Sequence, residues 1–273
     1  MRDAGELRRR GTTAVCPACG SFWDLESLAA DVAYDADYCA SRLHGEARTG
    51  ELKFRSLVRW LAALQVDLAG RVVCEVGFGG GFVLRGVERR GGVACGIEAN
   101  PAALASARRL GVPAERLHAA DRLPARLEPA ADLWLFLDSF EHVPEPAALL
   151  AFMARSSRPD ALALVVAPDA SSLSARWLGS AWPHRLRDHT FHWSRSGIVE
   201  LWGRHGWALR RSFVPRKLVS PAMLAAHALL MLGVGDARAQ RALRGLAPLQ
   251  RLAVPFNVGE FGLLFERAPR AAA

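Results

Sequence analysis

The sequence predicts an α/β fold built on a doubly wound, mostly parallel β-sheet. Apolar strands and helices alternate between about residues 71 and 167, the pattern of a parallel sheet covered by helices on both faces. Two short apolar runs, 133–137 and 161–167, have the length of strands that are buried on both faces. A glycine-rich turn at 77–81 follows the first predicted strand, 71–76, and opens a helix.

The remaining elements follow in chain order. Apolar residues at three- and four-residue spacing predict a helix from Glu51, with Leu52, Leu57, Val58, Leu61 and Leu64 as its buried stripe. The other predicted elements are a strand at 71–76, a helix ending near Arg90, a strand at 93–97, a helix at 101–109, a third strand before Ala120, a helix at 196–205, a strand at 207–213 and a last strand at 261–266. We expect a core over 51–216 that is completed by the last strand within 257–273.

Composition excludes wholesale disorder and says little about partners. The chain has 273 residues, of which 51% are hydrophobic and 23% charged, so it can bury a large core. Basic residues number 35 against 27 acidic ones, giving a net charge of +8. Only Lys53 and Lys217 are lysines. Scattered arginine in an alanine-rich chain is typical of a GC-rich genome, so the basic excess does not favour nucleic acid as a partner.

Compartment signals are weak but consistent. Residues 1–10 contain no apolar segment of the kind that a secretory signal needs, and the longest apolar stretch, 221–234, is too short to span a bilayer. The five cysteines are an odd number, and Cys74 and Cys95 fall in predicted buried strands. We therefore expect no disulfide framework and a cytoplasmic location.

The sharpest motif is Glu-Val-Gly-Phe-Gly-Gly-Gly at 75–81. Glycine permits positive φ and lets the backbone approach a ligand closely. The dinucleotide fingerprint would need glycine at Phe82, and no Lys-Ser/Thr pair follows the loop, so a P-loop is excluded as well. Glu98 ends the second strand about 20 residues further on, where a carboxylate can accept both hydroxyls of a ribose. The alternative is that Glu98 caps the following helix.

This motif, followed by Gly-Ile-Glu at 96–98, resembles the class I S-adenosylmethionine-dependent methyltransferases. Further segments match in the same order, namely Ala120-Asp121, the Asp-Ser-Phe-Glu-His-Val run at 138–143, Pro168-Asp169, the His-x-x-x-Trp-Ser segment at 189–194 and Gly206-Trp207. The resemblance covers about residues 50–215 and the last strand. It is strongest toward the small-molecule group that includes ubiquinone-type O-methyltransferases and sugar C-methyltransferases. It implies a seven-stranded sheet and S-adenosylmethionine as cofactor.

The resemblance also implies which residues hold the cofactor. Asp121 matches the acid that meets the adenine amino group, and Glu98 matches the acid that meets the ribose. The complete expected set is Glu75, Gly77, Phe78, Gly79, Gly81, Glu98, Asp121 and Asp138.

Two histidines are candidates for taking a proton from the methyl acceptor, because imidazole titrates near neutral pH. His142 follows the fourth strand, and His189 is preceded by Asp188 in a pair that resembles the Glu-His pair of sugar C-methyltransferases. We expect Asp188 to orient His189. His184 and His192 are close enough in sequence to take its place. The alternatives are that His142 shapes a pocket wall and that His189 bridges a loop to the sheet.

A divalent metal is a further implication of the resemblance. Asp138, Glu141 and His142 match, with Asp in place of Glu, an acid, acid, histidine set that the ubiquinone-type enzymes associate with a metal. We do not favour a metal from the sequence. Zinc at Cys16 and Cys19 is not expected either, because this Cys-x-x-Cys knuckle in the 1–50 extension has only Cys39 and His44 nearby to complete four ligands.

Residues 217–256 are predicted to be a helical insertion, apolar at first and then rich in arginine. Its 218–252 part can act as a lid over the acceptor, as a homodimer surface or as a peripheral membrane contact, and we favour the first two.

The sequence thus predicts methyl transfer to a small-molecule or carrier-linked acceptor, with oxygen favoured over carbon and a sugar, a lipid or quinone-like compound or a secondary metabolite as acceptor. An RNA-directed methyltransferase is disfavoured, because residues 138–141 lack the Asn/Asp-Pro-Pro-aromatic motif. A non-catalytic protein that keeps the fold as a scaffold is the other alternative.

Overall fold

The computed structural model describes residues 8–10, 12–24, 47–186, 188–231, 252–257 and 259–268. The strands are β1 (Arg8–Arg10), β2 (Thr13–Val15), β3 (Phe22–Asp24), β4 (Val72–Val76), β5 (Val93–Glu98), β6 (Leu117–Ala119), β7 (Ala131–Leu137), β8 (Ser157–Pro168), β9 (Trp207–Phe213), β10 (Lys217–Val219), β11 (Val254–Phe256) and β12 (Glu260–Arg267). The helices are α1 (Ala47–Ala63), α2 (Phe82–Arg89), α3 (Pro101–Arg109), α4 (Pro146–Ser156), α5 (Leu173–Leu178), α6 (Arg195–Arg204) and α7 (Pro221–Met231).

A seven-stranded sheet with the order β6-β5-β4-β7-β8-β12-β9 organises the molecule. Strands β4 to β8 are parallel to one another, whereas β12 is antiparallel to both of its neighbours, β8 and β9. The amino end of β12 therefore lies at the same edge as the carboxyl ends of the parallel strands, and Glu260 pairs with Pro168. The chain order reverses between β4 and β7, which is where open α/β sheets place their ligands.

The core lies on both faces of this sheet. Along β7, Trp134 and Phe136 face one apolar layer, and Leu133 and Leu135 face the other. All four side chains are fully buried. This confirms that the apolar run at 133–137 is a strand buried on both faces, as period-two alternation between two covered faces requires.

Most predicted elements have the expected bounds, and α3 and β9 begin and end at the predicted residues. Helix α1 begins at Ala47, four residues before the predicted start. The insertion differs more, since 217–219 and 254–256 are short strands that pair antiparallel. Pro221 and Pro255 explain part of this difference, because a residue that precedes proline is pushed toward the extended region.

Helix α7 confirms the first part of the predicted insertion. Residues 232–251 lie outside the described residues, so the lid, homodimer and membrane-contact hypotheses stay predictions. Within the described ranges, no helix has the length and apolar character needed to cross a membrane.

The amino-terminal extension contains a small antiparallel sheet of β1, β2 and β3. Cys16 and Cys19 are half-buried in the turn that joins β2 to β3, where the Gly20 N–H donates to the Cys16 carbonyl at 2.8 Å. Cys39 and His44, the other expected candidates for zinc, lie outside the described residues.

Candidate active site

The glycine loop joins β4 to α2 at the carboxyl edge of the sheet. Gly77 and Gly81 have φ angles of 70° and 83°. A Cβ at Gly77 would lie 2.6 Å from the Cβ of Ser139, and one at Gly81 would lie 2.7 Å from the Cβ of Ala107. These positions therefore need glycine both for their backbone conformation and for close approach to β7 and α3. Gly79, at φ 56°, faces open space.

Glu98 connects the glycine loop to the turn after β5. Its Oε2 accepts the Gly79 N–H at 2.8 Å, and its Oε1 accepts the N–H groups of Ala99 and Asn100 at 2.9 and 3.0 Å. The cap of α3 is Asn100, whose Oδ1 accepts the Ala102 N–H at 2.8 Å. Glu98 is therefore not the helix cap that was the alternative interpretation, and its carboxylate lies between the two loops.

Glu75 is a fully buried acid at the end of β4. Neither of its carboxylate oxygens has a hydrogen-bond partner among the residues that the structure describes. Burial raises the pKa of Glu75 to about 8, against the opposing charge of Lys53. A buried acid without partners is a candidate for binding a cationic group of a ligand.

Asp138 follows β7 with a φ of 57°, in the left-handed region that non-glycine residues seldom occupy. The Lys217 Nζ donates to Asp138 Oδ1 at 2.5 Å and to Glu260 Oε1 at 2.6 Å. Although burial opposes ionisation, the charges of Lys217 and Lys53 lower the pKa of Asp138 to about 2. Lys53 also donates to the Leu137 carbonyl at 2.8 Å, so both lysines of the chain hold the end of β7.

Two further members of the expected cofactor set differ from each other in exposure. The Asp121 side chain follows β6, is 72% exposed and lies 3.5 Å from the Arg122 guanidinium. The Phe78 ring is buried and packs over Gly96, where a Cβ would come within 2.5 Å of it. The Phe78 ring therefore faces the core, and only the backbone of Phe78 is left to contact a ligand at the glycine loop.

His142 lies in a single 3₁₀ turn, Phe140–His142, directly after the β7 loop. Its Nδ1 is 2.7 Å from the Asp188 carbonyl oxygen and 3.8 Å from Asp188 Oδ2. Because a carbonyl only accepts, the neutral imidazole carries its proton on Nδ1 and has its lone pair on Nε2. The structure thus places Asp188 against His142, and the charge of Asp188 also acts on His189, the neighbour that the sequence predicts it to orient.

His189 lies beside His142, with the ring centroids 4.7 Å apart and the rings perpendicular. It is 4% exposed, and its Nδ1 has no hydrogen-bond partner among the described residues. Burial, and then the proximity of His142, lower the pKa of His189 well below its ordinary value. His189 is therefore a neutral imidazole.

Glu141 completes this group. It is 2% exposed, and its Oε2 has no hydrogen-bond partner within the described part of the chain. Burial, and then the charge of Asp138, raise the pKa of Glu141 to about 8. One ligand atom each from Glu141, His142 and His189 lie within 4.8 Å of one another. The structure thus gathers His189, instead of Asp138, with the acid and histidine of the 138–142 segment.

The amino-terminal sheet supports the segment that carries these histidines, a role that the sequence did not predict. The Phe22 N–H donates to the His192 carbonyl at 3.0 Å, and the His192 N–H donates to the Phe22 carbonyl at 2.7 Å. The two rings are stacked at 4.4 Å. The Ser194 N–H donates to Ser21 Oγ at 3.0 Å.

Lys53, Lys217 and Glu260 were also missed as site residues. The available signal for the lysines was their rarity, since the chain has 35 basic residues and only two of them are lysines. No comparable pattern marked Glu260, whose position at the site depends on the antiparallel direction of β12.

Strand order, the glycine loop and Glu98 together define the class, which is that of nucleotide-cofactor α/β proteins with one antiparallel strand inserted beside the edge strand of the sheet. The particular family follows from comparison, because residues 48–212 match the family model described as "Methyltransferase domain". The chain belongs to this methyltransferase-domain family. The class I S-adenosylmethionine-dependent resemblance and the seven-stranded fold are confirmed.

Curated relatives point to one enzyme group. The chain is 36% identical over 97 residues to the ubiquinone biosynthesis O-methyltransferase of Alkalilimnicola ehrlichii, covering 34% of this chain and 39% of that protein. It is 33% identical over 107 residues to the protein of the same name from Pseudomonas fluorescens, covering 37% and 46%. The matches thus span less than half the length of these relatives.

Solved structures agree on the fold. A methyltransferase-type protein from Bacillus halodurans superposes with a TM-score of 0.55 at 17% identity, covering 78% of this chain and 98% of that one. A methyltransferase from a complex with the Haloferax volcanii activator Trm112 superposes with a TM-score of 0.55 at 15% identity, covering 82% of this chain and 92% of that one.

Proposed function

We propose that this protein transfers the methyl group of S-adenosylmethionine to a hydroxyl oxygen of a small-molecule or carrier-linked acceptor, such as a sugar, a quinone-like lipid or a secondary metabolite. One observation carries the proposal. The loop after β7 contacts the glycine loop through Ser139, whose Oγ donates to the Val76 carbonyl at 2.6 Å, and three residues later presents His142 beside Asp188. The short segment 139–142 therefore links the glycine loop to a potential base.

On the cofactor side, each group has a distinct task. The glycine loop admits the cofactor close to the backbone, Glu98 accepts the ribose hydroxyls in exchange for backbone N–H groups, and Asp121 meets the adenine amino group. Glu75 offers a buried carboxyl to the ammonium of the methionine moiety. Asp138 orders the β7 loop at the junction of the two sites.

On the acceptor side, methyl transfer is an in-line displacement at the methyl carbon. The acceptor oxygen attacks, the carbon–sulfur bond breaks, and S-adenosylhomocysteine leaves with the electron pair. The acceptor proton passes to Nε2 of His142, whose Nδ1–H is held by Asp188. Neutral His189 packs against this ring and limits its rotation. The similarity to ubiquinone biosynthesis O-methyltransferases supports oxygen over carbon as the methylated atom.

The metal that the resemblance implies would be held by Glu141, His142 and His189, whose ligand atoms cluster within 4.8 Å. When bound, it would supply a Lewis acid that lowers the pKa of an acceptor hydroxyl.

The test begins with calorimetric binding of S-adenosylmethionine and S-adenosylhomocysteine to the full chain. We expect micromolar binding by the wild type and a loss of at least about 10-fold in Glu98→Ala, since a hydrogen bond to a charged group contributes about 1.5–3 kcal/mol. Glu200→Ala, an exposed acid on α6, is the matched control. Absence of binding by folded wild-type protein would refute the proposal.

Transfer is then measured with a panel of phenolic, sugar and lipid-linked hydroxyl compounds. His142→Gln should lower turnover while leaving cofactor affinity within about two-fold, because His142 lies on the acceptor side. Cofactor binding with no transfer to any of these acceptors would favour the scaffold interpretation.

A further inference from the structure

We propose that Glu141, His142 and His189 form a binding site for a divalent transition-metal ion such as Zn²⁺ or Co²⁺, and that Asp138 is not one of its ligands. One ligand atom from each of the three residues lies within 4.8 Å of the others. That spacing is close to what a single ion placed between them requires, since metal–ligand bonds of about 2.0–2.2 Å put ligand atoms about 3–4 Å apart.

The orientation of His142 is that of a metal ligand. A ligating histidine usually donates its other ring N–H to a backbone carbonyl or a carboxylate, which fixes the tautomer and the ring plane. His142 makes this contact through Nδ1, 2.7 Å from the Asp188 carbonyl and 3.8 Å from its carboxylate. The Nε2 lone pair of His142 therefore points away from Asp188.

The other two residues have buried atoms that lack partners. Glu141 Oε2 and His189 Nδ1 have no hydrogen-bond partner in the described part of the chain, although the residues are only 2% and 4% exposed. Buried polar atoms are almost always satisfied in folded proteins, so one orphaned atom in each of two residues whose ligand atoms cluster indicates a missing common partner. A cation satisfies both, because a carboxylate oxygen and a neutral imidazole nitrogen are both electron-pair donors.

The exclusion of Asp138 rests on Lys217. Its ammonium bridges Asp138 and Glu260 at 2.5 and 2.6 Å, so the carboxylate that an acid, acid, histidine set would contribute already has a cation. His189 takes the third position, and the ligand set becomes two imidazoles and one carboxylate. Imidazole favours zinc, cobalt, nickel and iron, whereas magnesium prefers oxygen ligands.

This inference deepens the proposed function, and the role it gives the metal in methyl transfer rests on that function. With a cation bound, His142 would serve as a ligand, and the cation would supply the acidification of the acceptor hydroxyl that His142 supplies as a base in the metal-free protein. Metal binding is measured without acceptor or cofactor, so the failure of one proposal does not entail the failure of the other.

The experiment uses the full chain, freed of metal with a chelator, in a Cys16→Ser/Cys19→Ser background that removes the knuckle as a competing site. Titration with Co²⁺ is followed by visible absorption, and titrations with Zn²⁺ and Mg²⁺ are followed by calorimetry. We expect one equivalent of Co²⁺ or Zn²⁺ to bind at least about 100-fold more tightly than Mg²⁺. If the double serine variant does not fold, the wild type serves, because thiolate-to-cobalt charge-transfer absorption identifies ions bound at the cysteines.

Three variants decide which residues are ligands. His189→Gln should weaken Co²⁺ binding by at least about 100-fold, whereas Asp138→Asn should change it by less than about three-fold. His205→Gln, on the surface turn after α6, is the matched control for loss of an imidazole. Circular dichroism verifies the fold of each variant. Failure of the folded protein to bind Co²⁺, or loss of binding in Asp138→Asn with retention in His189→Gln, would overturn the proposal.

Discussion

The cofactor edge and the acceptor-side cluster are built in different ways. At the cofactor edge, the Glu98 carboxylate accepts the Gly79 N–H, and the β4–β5 ladder joins the two consecutive βα units that carry them. The acceptor-side cluster comprises Asp138, Glu141, His142, His184, Asp188, His189, Lys217 and Glu260, which come from four separate parts of the chain. The first region depends on local backbone geometry, and the second depends on long-range charge pairing.

This difference predicts that the two regions fail separately. A substitution in the glycine loop should damage cofactor affinity first, because a positive φ and a close contact cannot be compensated by neighbours. A substitution in the acceptor-side cluster should damage stability first, because its charges compensate one another in a buried environment. Four measurements, in decreasing order of expected effect, challenge this distinction.

Lys217→Met should be the most destabilising change. It leaves Asp138 and Glu260 without their shared cation, and breaking a buried ion pair by removing one partner costs about 3–5 kcal/mol. Lys53→Met is the matched comparison, since Lys53 donates one hydrogen bond, to the Leu137 carbonyl, and acts on Asp138 and Glu75 through its charge without hydrogen-bonding them. Its loss should cost about 1–2 kcal/mol. Chemical denaturation measures both, and equal losses would show that the charge bridge has no special weight.

Gly77→Ala should destroy cofactor binding. Alanine at φ 70° is strained by about 1–3 kcal/mol, and its Cβ would also collide with Ser139. Affinity for S-adenosylmethionine should fall on the order of 100-fold, or about 2.7 kcal/mol. Gly91→Ala shares the positive φ, at 75°, but meets nothing within 4 Å. Calorimetry should therefore show normal affinity for S-adenosylmethionine in Gly91→Ala. If Gly91→Ala lost as much affinity as Gly77→Ala, backbone strain alone would explain the loss in both.

The pH dependence of stability should carry a contribution from each region. The pKa values of Glu75 and Glu141 are raised to about 8 by burial, far above the ordinary value of 4.5. Between pH 4.5 and about 8, these two carboxyls keep their protons in the folded chain and lose them in the unfolded chain. The free energy of unfolding therefore falls as pH rises through this range. The slope is at most about 1.4 kcal/mol per pH unit for each group.

Glu75→Gln and Glu141→Gln should each flatten this slope in denaturation curves recorded from pH 5 to 8. Saturating S-adenosylmethionine should remove the Glu75 contribution and leave that of Glu141, because of these two acids we propose only Glu75 as a partner of the cofactor. A slope unaffected by either substitution would mean that neither carboxyl is neutral in the folded protein.

Ser21→Ala should produce the smallest effect, about 1 kcal/mol, by removing the hydrogen bond to the Ser194 N–H. Hydrogen exchange in 188–194 should accelerate while cofactor affinity stays constant. Ser106→Ala is the converse variant, because Ser106 Oγ donates to the Gly80 carbonyl at 3.1 Å, and it should affect affinity without affecting 188–194. Indistinguishable results for the two serines would contradict the separation of the regions.

The predictive power of the sequence follows the same division. The glycine loop, Glu98 and the strands on either side were predictable, because φ preference, apolar periodicity and capping act over a few residues. The pairing of Asp188 with His142 was not, since adjacency in sequence suggested His189 instead. The short strands β10 and β11 were also missed, because three-residue strands contain too little periodicity to distinguish them from the ends of a helix.

By itself, the sequence determined the alternating α/β core, the methyltransferase family and the glycine loop with Glu98, since each is marked by a short pattern of residue types along the chain. Only the tertiary structure decided which acid holds which histidine, that both lysines hold the end of β7, and that the amino-terminal sheet supports His192. These contacts connect residues that are far apart in the chain, such as Phe22 and His192. Such pairings are fixed by the direction and order of strands, which no local pattern encodes.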